Sequence, residues 1–429
     1  MKYAFVNGIV LDGTKNMVPV TGKAVLVEDG KIKDIVENSG DFPDHEVVDL
    51  EGAYLLPGLI DLHVHIAIDG KPPKKEKKPT NYKLLFQVLS KSRVVLNVMK
   101  RRAAKYAETE LLSGVTTIRT VGGILDIDGK VRDLINAGKL NGPRILAANT
   151  GISVPGGHFA GSIATEAATP EEARQHVRQI ARTNPDLIKL MITGGVMDAS
   201  EEGEPGVLRM SPEIVKAACE EAHAFGYKVA AHVESPEGVR VALENGVDTI
   251  EHGAKLDAEM IRLFKEKGAS PVCTISPALP YAEFELSESH ALPVAKKNGK
   301  IVMDGIIECA KTCIENDIPV GLGNDVGCPF ILHYNYWREL WYFHKYVGVS
   351  NKDTLYTATL GNAKIVGIDK ETGSIEKGKS ADMIVVKGDP LEDLSVLRNV
   401  SAVMIKGKLI RDPQIRKMTE VDDLLDKYM

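Results

Sequence analysis

The sequence predicts an α/β protein, a (β/α)8 TIM barrel with a small β-sandwich domain built from both ends of the chain. Between Leu56 and about Val366, short apolar runs alternate eight times with longer stretches of helical spacing, the pattern of a parallel barrel with outer helices. On either side of this region, turns and not helices separate the apolar runs. The predicted domains are residues 57–366 for the barrel, and residues 1–56 with 367–429 for the β-sandwich.

The first 56 residues are predicted to form a small β-layer. Its strands are expected at residues 3–11, 24–27 and 31–35. Asp29 and Gly30 stand between the last two runs, and an Asp-Gly pair in this position favours a tight hairpin turn.

The barrel strands and helices follow from the alternation of apolar runs and helical spacing. Strands are predicted at residues 58–63, 116–119, 144–147, 187–191, 228–233, 249–252, 270–274 and 319–323. Helices are predicted at residues 94–112, 170–183, 211–225 and 236–245. Several of these helices open on Ser-Pro or Thr-Pro, a cap followed by proline at the first helical position. Residues 71–79, rich in lysine and proline, follow the first strand and are interpreted as a solvated loop at the barrel mouth, where it could act as a lid.

After residue 375 the pattern returns to β structure. A strand is predicted at residues 381–386, a hairpin around Gly407 at residues 402–410, and an amphipathic last helix at residues 419–429. Neither terminal β segment is large enough to bury a core alone. We therefore predict that the two segments pair into one domain.

Composition excludes several classes of protein. The chain has 429 residues, of which 44% are hydrophobic, and a net charge of −6, which argues against a nucleic-acid partner. Its five cysteines include no C-x-x-C pair and do not resemble a disulfide framework. No apolar run approaches the ~20 residues of a membrane span. We predict a cytoplasmic protein that acts on a small molecule, with no membrane partner.

Polar residues stand at the carboxyl ends of five predicted barrel strands, and barrel enzymes keep their active sites at that end. The residues are His63, His65, Lys189, His232, His252 and Asp325. His63 and His65 share one strand face, because residues i and i+2 point the same way. That pair alone leaves two packed histidines as an equal alternative to a metal site. The whole set favours metal.

Lys189 is the unusual member, because an isolated ammonium inside a barrel is costly and its pKa tends to fall. A neutral lysine amine can react with carbon dioxide to form a carbamate, an anionic oxygen donor that can bridge two cations ~3.5–4 Å apart. The alternative is a lysine that pairs with Asp325 and binds no metal.

These residues resemble the motifs of the amidohydrolase superfamily over nearly the whole chain. The matching segments are residues 57–65 (PGLIDLHVH), 114–117 (GVTT), 188–189 (IK), His232, 249–253 (TIEHG), 323–325 (GND) and 373–382 (GSIEKGKSAD). Residues 153–158 (SVPGGH) and 189–196 (KLMITGGV) are similar to the prolidase and Xaa-Arg dipeptidase branch, also called imidazolonepropionase-like.

The resemblance implies two divalent metal ions, with zinc best suited to the ligands. His63, His65 and Asp325 would hold the more buried ion and His232 and His252 the other, with carboxylated Lys189 and a hydroxide bridging them. Asp325 would serve as general base and then as general acid. Lys189, as the carbamate that bridges the ions, is the other predicted catalytic residue.

Four further residues are predicted to contact the substrate. His158 follows two glycines, so its backbone can approach a ligand closely. Arg209 and Tyr281 lie in loops after strands four and seven and could bind a substrate carboxylate. His333 follows Asp325 and could support it. Each could instead be a loop residue with no role.

The predicted function is hydrolysis of an amide bond in a dipeptide of Xaa-Pro or Xaa-Arg type or in an N-acyl amino acid, by a homo-oligomer. The nearest alternative is a cyclic-amide or imidazolone hydrolase. A mononuclear deaminase fits less well, because such enzymes usually lack the strand-four lysine. A non-catalytic barrel scaffold fits least, because every ligand position is filled.

Overall fold

The computed structural model describes residues 1–73, 91–199 and 201–429, and it begins with short strands. The N-terminal strands are β1 (Lys2–Val6), β2 (Ile9–Val10), β3 (Lys23–Glu28), β4 (Lys31–Glu37), β5 (Glu46–Asp49) and β6 (Tyr54–Pro57). The predicted hairpin is confirmed: β3 and β4 are antiparallel, and Asp29 and Gly30 turn between them at φ 48° and 80°. Positive φ at both central residues matches the twist of the paired strands.

The barrel follows with its strands parallel. They are β7 (Leu59–Val64), β8 (Val115–Thr120), β9 (Arg144–Ala147), β10 (Gly151–Ser153), β11 (Ala164–Glu166), β12 (Leu187–Met191), β13 (Lys228–Val233), β14 (Thr249–His252), β15 (Ser270–Cys273) and β16 (Gly321–Leu322). The third position is divided, because β9 pairs with β8 whereas β10 pairs with β12. The predicted (β/α)8 order is confirmed. The eighth strand is shorter than predicted, since Pro319 has no N–H for a ladder.

Helices cover the outside of the barrel and return the chain to the terminal domain. They are α1 (Arg93–Leu112), α2 (Ile127–Asn136), α3 (Pro170–Ala181), α4 (Pro212–Ala224), α5 (Pro236–Glu244), α6 (Ala258–Lys267), α7 (Ile275–Ala282), α8 (Leu286–Ser289), α9 (Pro293–Glu315), α10 (Tyr336–Tyr342), α11 (Asn351–Tyr356), α12 (Asn362–Ile365) and α13 (Thr419–Asp426), with irregular helical turns at Phe343–Val347, Thr357–Gly361 and Leu394–Arg398. Of the predicted caps, those at Thr169 and Ser235 form, and their hydroxyls accept from Glu172 N and Gly238 N. Ser211 begins its helix without a side-chain cap bond. Across the described ranges, no helix is long and apolar enough to cross a bilayer.

The two ends of the chain share a pair of sheets. The last strands are β17 (Met383–Val386), β18 (Val400–Ile405) and β19 (Lys408–Arg411). One sheet has the order β4-β3-β1-β5, and the other has the order β19-β18-β17-β6-β2, so N-terminal and C-terminal strands pair directly. A separate core lies between them, with Phe5, Ile32, Leu55, Met383 and Met404 among its buried members. The predicted β domain made from both termini is confirmed.

Side chains help to close the barrel between its first and eighth strands. Asn362 donates from Nδ2 to Ile60 O at 2.7 Å and to Leu322 O at 2.8 Å, and its Oδ1 accepts from Leu322 N at 2.9 Å. The Tyr336 hydroxyl donates to Ile60 O at 2.7 Å. These bonds hold β7 beside β16 and so bring the candidate residues of the two strands to one mouth.

Candidate metal centre

A cavity of about 410 Å³ opens at the carboxyl ends of the barrel strands. The six predicted candidates for metal binding and catalysis all line it: His63, His65, Lys189, His232, His252 and Asp325. The strand direction explains this convergence, because parallel strands deliver their last residues to one end of a barrel. All six side chains are buried.

One carboxylate oxygen of Asp325 lies close to a ring nitrogen of each histidine on β7. Its Oδ1 lies 3.4 Å from His63 Nε2 and 3.2 Å from His65 Nε2. The Nδ1 atoms of the two rings bond instead to Glu251 Oε2 and Gly122 O, both at 2.8 Å. These oxygens can only accept, so each Nδ1 carries a proton, and in the neutral form of each ring Nε2 faces Asp325 with a lone pair. Burial also lowers the pKa of His63 to about 4. A cation is the group that such a set of donors fits.

His232 and His252 form the other side of the centre, with their ring centroids 4.7 Å apart. His232 Nε2 donates to Gly194 O at 3.1 Å, which leaves Nδ1 with the lone pair. His252 Nδ1 lies 2.7 Å from Thr274 Oγ1. Burial is the main reason that the pKa of each ring falls well below 6.5. Both rings are therefore neutral, the form in which imidazole binds a metal.

The backbone at two of these positions is left-handed. His252 has a φ of 71° and Asp325 a φ of 52°. Residues with a Cβ pay about 1–2 kcal/mol for this conformation, and such strained positions cluster at functional sites.

Lys189 Nζ is buried and has no hydrogen-bond partner among the described residues. Asp325, the partner that a metal-free centre would need, has its Oδ1 beside His63 Nε2 and His65 Nε2 instead. Burial lowers the pKa of Lys189 to about 8, which makes the neutral amine accessible near neutral pH. Its unpartnered nitrogen and the unpartnered Oδ1 of Asp325 are the orphaned atoms that a bridged metal pair would satisfy.

A buried ion pair orients His63 from behind. Arg119 on β8 donates from Nη2 to both oxygens of Glu251 on β14, and from Nη1 to Thr249 Oγ1. Burial alone would raise the pKa of Glu251, but the Arg119 guanidinium and His63 outweigh it and hold that pKa well below 4.5. The ionised carboxylate fixes the tautomer of His63.

Two of the four predicted substrate contacts line the cavity. His158 stacks on His232 with the rings 4.1 Å apart and an interplanar angle of 10°, and its Nδ1 bonds to Asp198. Tyr281 also lines the cavity and is half-buried.

The other two predicted contacts lie elsewhere, and here the prediction needs correction. Arg209 is exposed in a neighbouring depression that it shares with Asp198. His333 is buried against Tyr106, and its ring bonds to Glu110 Oε1 and Ile68 O. The paths of long loops set both positions, and residue spacing does not reveal those paths. Of the predicted lid, residues 71–73 are described and Lys71 lines the cavity, whereas residues 74–79 lie outside the described ranges.

Sequence reasoning missed Glu234 and the apolar side of the cavity. Glu234 lies two residues after His232, and the alternation along a strand could have placed it on the same face. The apolar wall comes from separate loops and from α7 and α9, and its members include Phe159, Val196, Met197, Pro277, Val302 and Ile306.

Comparison with known proteins agrees with this geometry. Residues 54–410 match the model of the amidohydrolase family. The ochratoxinase of Aspergillus niger is 27% identical, over 92% of this chain and 84% of that protein. Among solved structures, a Bifidobacterium longum protein provisionally called a prolidase is 34% identical, with a TM-score of 0.87 and coverage of 100% of this chain and 99% of the other.

A Xaa-Pro dipeptidase with methionine bound in its active site is 30% identical, with a TM-score of 0.83 over 96% of this chain and all of the other. The predicted resemblance is confirmed, and metal-dependent amide hydrolysis is the activity that the family supports. The match spans most of the chain, including every candidate residue of the centre, and the protein is therefore a hydrolase of the amidohydrolase family.

Proposed function

We propose that the protein is a binuclear metal-dependent hydrolase that cleaves an amide bond in a small molecule. Dipeptides of Xaa-Pro or Xaa-Arg type and N-acyl amino acids are the proposed substrates. The observation that carries the proposal is the convergence of four imidazoles, Asp325 and the unpartnered amine of Lys189 on one cavity.

In this proposal His63, His65 and Asp325 would hold one divalent ion, and His232 and His252 would hold the other. Lys189 would add carbon dioxide, lose a proton and supply the oxygen donors of the resulting carbamate. Such ions, when bound, supply Lewis acidity toward a carbonyl oxygen and lower the pKa of water. Imidazole and oxygen donors favour zinc.

The protein's own residues then move protons and position the substrate. Asp325 accepts the proton of the attacking water and returns it to the leaving amine, as a general base and then acid. His158 is held in one orientation by Asp198 and by its stacking on His232. His158 lines the cavity. In its doubly protonated form, paired with the Asp198 carboxylate, the ring would donate from Nε2 to the carbonyl or carboxylate oxygen of the substrate.

The apolar wall supports a choice among substrates. About 410 Å³ is room for a dipeptide-sized molecule, and aliphatic and aromatic side chains form part of the cavity lining. We therefore propose that an apolar side chain is preferred next to the scissile amide. The homo-oligomeric state and the cytoplasmic location stay predictions from the sequence.

The test is metal content together with a substrate screen. Purified protein is expected to hold about two divalent ions per chain and to hydrolyse some member of a panel of Xaa-Pro dipeptides, Xaa-Arg dipeptides and N-acyl amino acids. Turnover of cyclic amides alone would move the assignment to a cyclic-amide hydrolase. One ion per chain with release of ammonia would favour a mononuclear deaminase.

A further inference from the structure

We infer that Glu234 supplies a carboxylate ligand to the second ion, beside His232 and His252. This inference rests on the proposed function, and it adds a residue to the ligand set considered so far. The sequence alone did not single out Glu234.

The position of the carboxylate is the first argument. Donor atoms of His232, Glu234 and His252 all lie within 4.8 Å of one another. A tetrahedral ion with ligands at ~2.0–2.2 Å draws its donors to within about 3.5 Å of one another. A small movement of the three side chains therefore gives a ligand set of two imidazoles and one carboxylate.

The way Glu234 is held is the second argument. Its Oε2 accepts from Val196 N at 3.1 Å, and its own N–H donates to Thr193 Oγ1 at 3.1 Å. A Cβ on Gly206 would lie 2.3 Å from Glu234 O, so that loop packs directly on the glutamate backbone. One carboxylate oxygen is thus committed to the loop after β12, and a carboxylate has a second oxygen to offer an ion.

Charge is the third argument. His232 and His252 bring no negative charge to the second divalent ion, and the carbamate proposed for Lys189 would share a single charge between the two ions. Asp325 is committed to the imidazoles of β7 on the first side. Glu234 adds a negative charge to the second side from a carboxylate that already lines the cavity.

The test is a Co²⁺ titration of the metal-depleted full-length protein, followed by the visible absorption of the bound ion. Wild-type protein is expected to bind two Co²⁺ ions. Glu234→Gln is expected to lower the affinity for the second Co²⁺ ion by more than the ~10–100-fold that loss of an outer-shell partner costs. The visible absorption of the Co²⁺ ion at that second site is also expected to change. Asp69→Asn is the matched control: Asp69 also lines the cavity but pairs with Lys71, so the variant should titrate as wild type.

The outcomes separate this inference from the proposed function. Wild-type protein that binds no Co²⁺ would overturn both. Glu234→Gln with two ions of unchanged affinity and spectrum would overturn the ligand role alone, because glutamine still offers Val196 N an acceptor oxygen and preserves a purely structural contact. If the variant fails to fold, anomalous diffraction from Co²⁺-loaded wild-type crystals decides the matter. A Glu234 oxygen at ~2.0–2.2 Å from the second ion supports the role, and no contact refutes it.

Discussion

Arg119 and Glu251 form an ion pair across the interior of the barrel, with Arg119 Nη2 at 2.7 Å from Oε1 and 2.8 Å from Oε2 of the glutamate. Both side chains are buried. The same glutamate accepts from His63 Nδ1, so a charge on β8 reaches a candidate ligand on β7 through β14. The ion pair therefore links two barrel strands and also orients a candidate metal ligand.

Replacing Arg119 with methionine is expected to lower the free energy of unfolding by about 3–5 kcal/mol, because it leaves a buried carboxylate unpaired. Urea unfolding of metal-depleted protein measures this loss. The double variant Arg119→Met, Glu251→Gln should lose less than the two single variants added together. A loss below about 1 kcal/mol for Arg119→Met would show that water reaches Glu251.

Lys189→Ala is expected to lower metal content below that of wild type and to reduce kcat/KM by more than about 100-fold, since it removes the proposed bridging group. Elemental analysis and turnover measure the two effects. Lys71→Ala is the matched control, because Lys71 lines the same cavity from an exposed position and should keep its metal. Full metal content and activity in Lys189→Ala would exclude a bridging role.

Metal reconstitution should depend on pH through Lys189. Carbamate formation needs the neutral amine, and with a pKa of about 8 the neutral fraction is about 1% at pH 6 and about half at pH 8. Recovery of activity by metal-depleted protein, given zinc and bicarbonate, should accelerate over this range and level off above it. A rate independent of both pH and bicarbonate would contradict the carbamate.

The same shift affects the stability of the metal-free protein. The unfolded amine keeps its proton up to its ordinary pKa of 10.5, whereas the folded amine loses it near 8. The cost of burying Lys189 is therefore fully present below pH 8 and is relieved as the pH rises toward 10.5. Relative to Lys189→Ala, wild-type apoprotein should gain stability across that range in urea unfolding.

His158→Gln is expected to reduce kcat/KM by about 100-fold, the scale of losing one hydrogen-bond donor to the reacting group. Its metal content should match that of wild type, because a residue that only contacts the substrate does not affect metal binding, whereas a residue that positions His232 does. His176→Gln, on α3 with its Nε2 bonded to Glu166 O, is the control and should keep full activity. Loss of metal in His158→Gln would reassign the residue to positioning His232.

Asn362→Ala is expected to destabilise the protein by about 2–4 kcal/mol. It removes the acceptor of the buried Leu322 N–H, and it leaves the Tyr336 hydroxyl as the remaining side-chain donor to Ile60 O and Leu322 O. Thermal unfolding measures the change. Asn351→Ala, which removes one bond to Leu391 O, should cost much less. Equal losses would argue against a closing role for Asn362.

The barrel and its centre were largely predictable because they depend on local pattern and strand direction. Apolar runs fixed the strands, and a parallel barrel sends their last residues, such as His63 and Asp325, to one end. What the sequence did not reveal depends on loop paths. Arg209 and His333 follow long connections, and neither reached the cavity wall. Glu234 could have been predicted, because it stands two residues after His232, the same spacing that places His63 and His65 on one face.

The interleaved order β19-β18-β17-β6-β2 has a consequence for biosynthesis. A ribosome releases β6 early and β17 only near the end of synthesis, so β6 waits with one edge unpaired while the whole barrel emerges. The closing bonds of Asn362 to β7 and β16 come equally late. A nascent chain stopped before residue 362 therefore lacks the Asn362 bonds and the β17 partner of β6, and we expect full hydrolytic activity only once synthesis is almost complete.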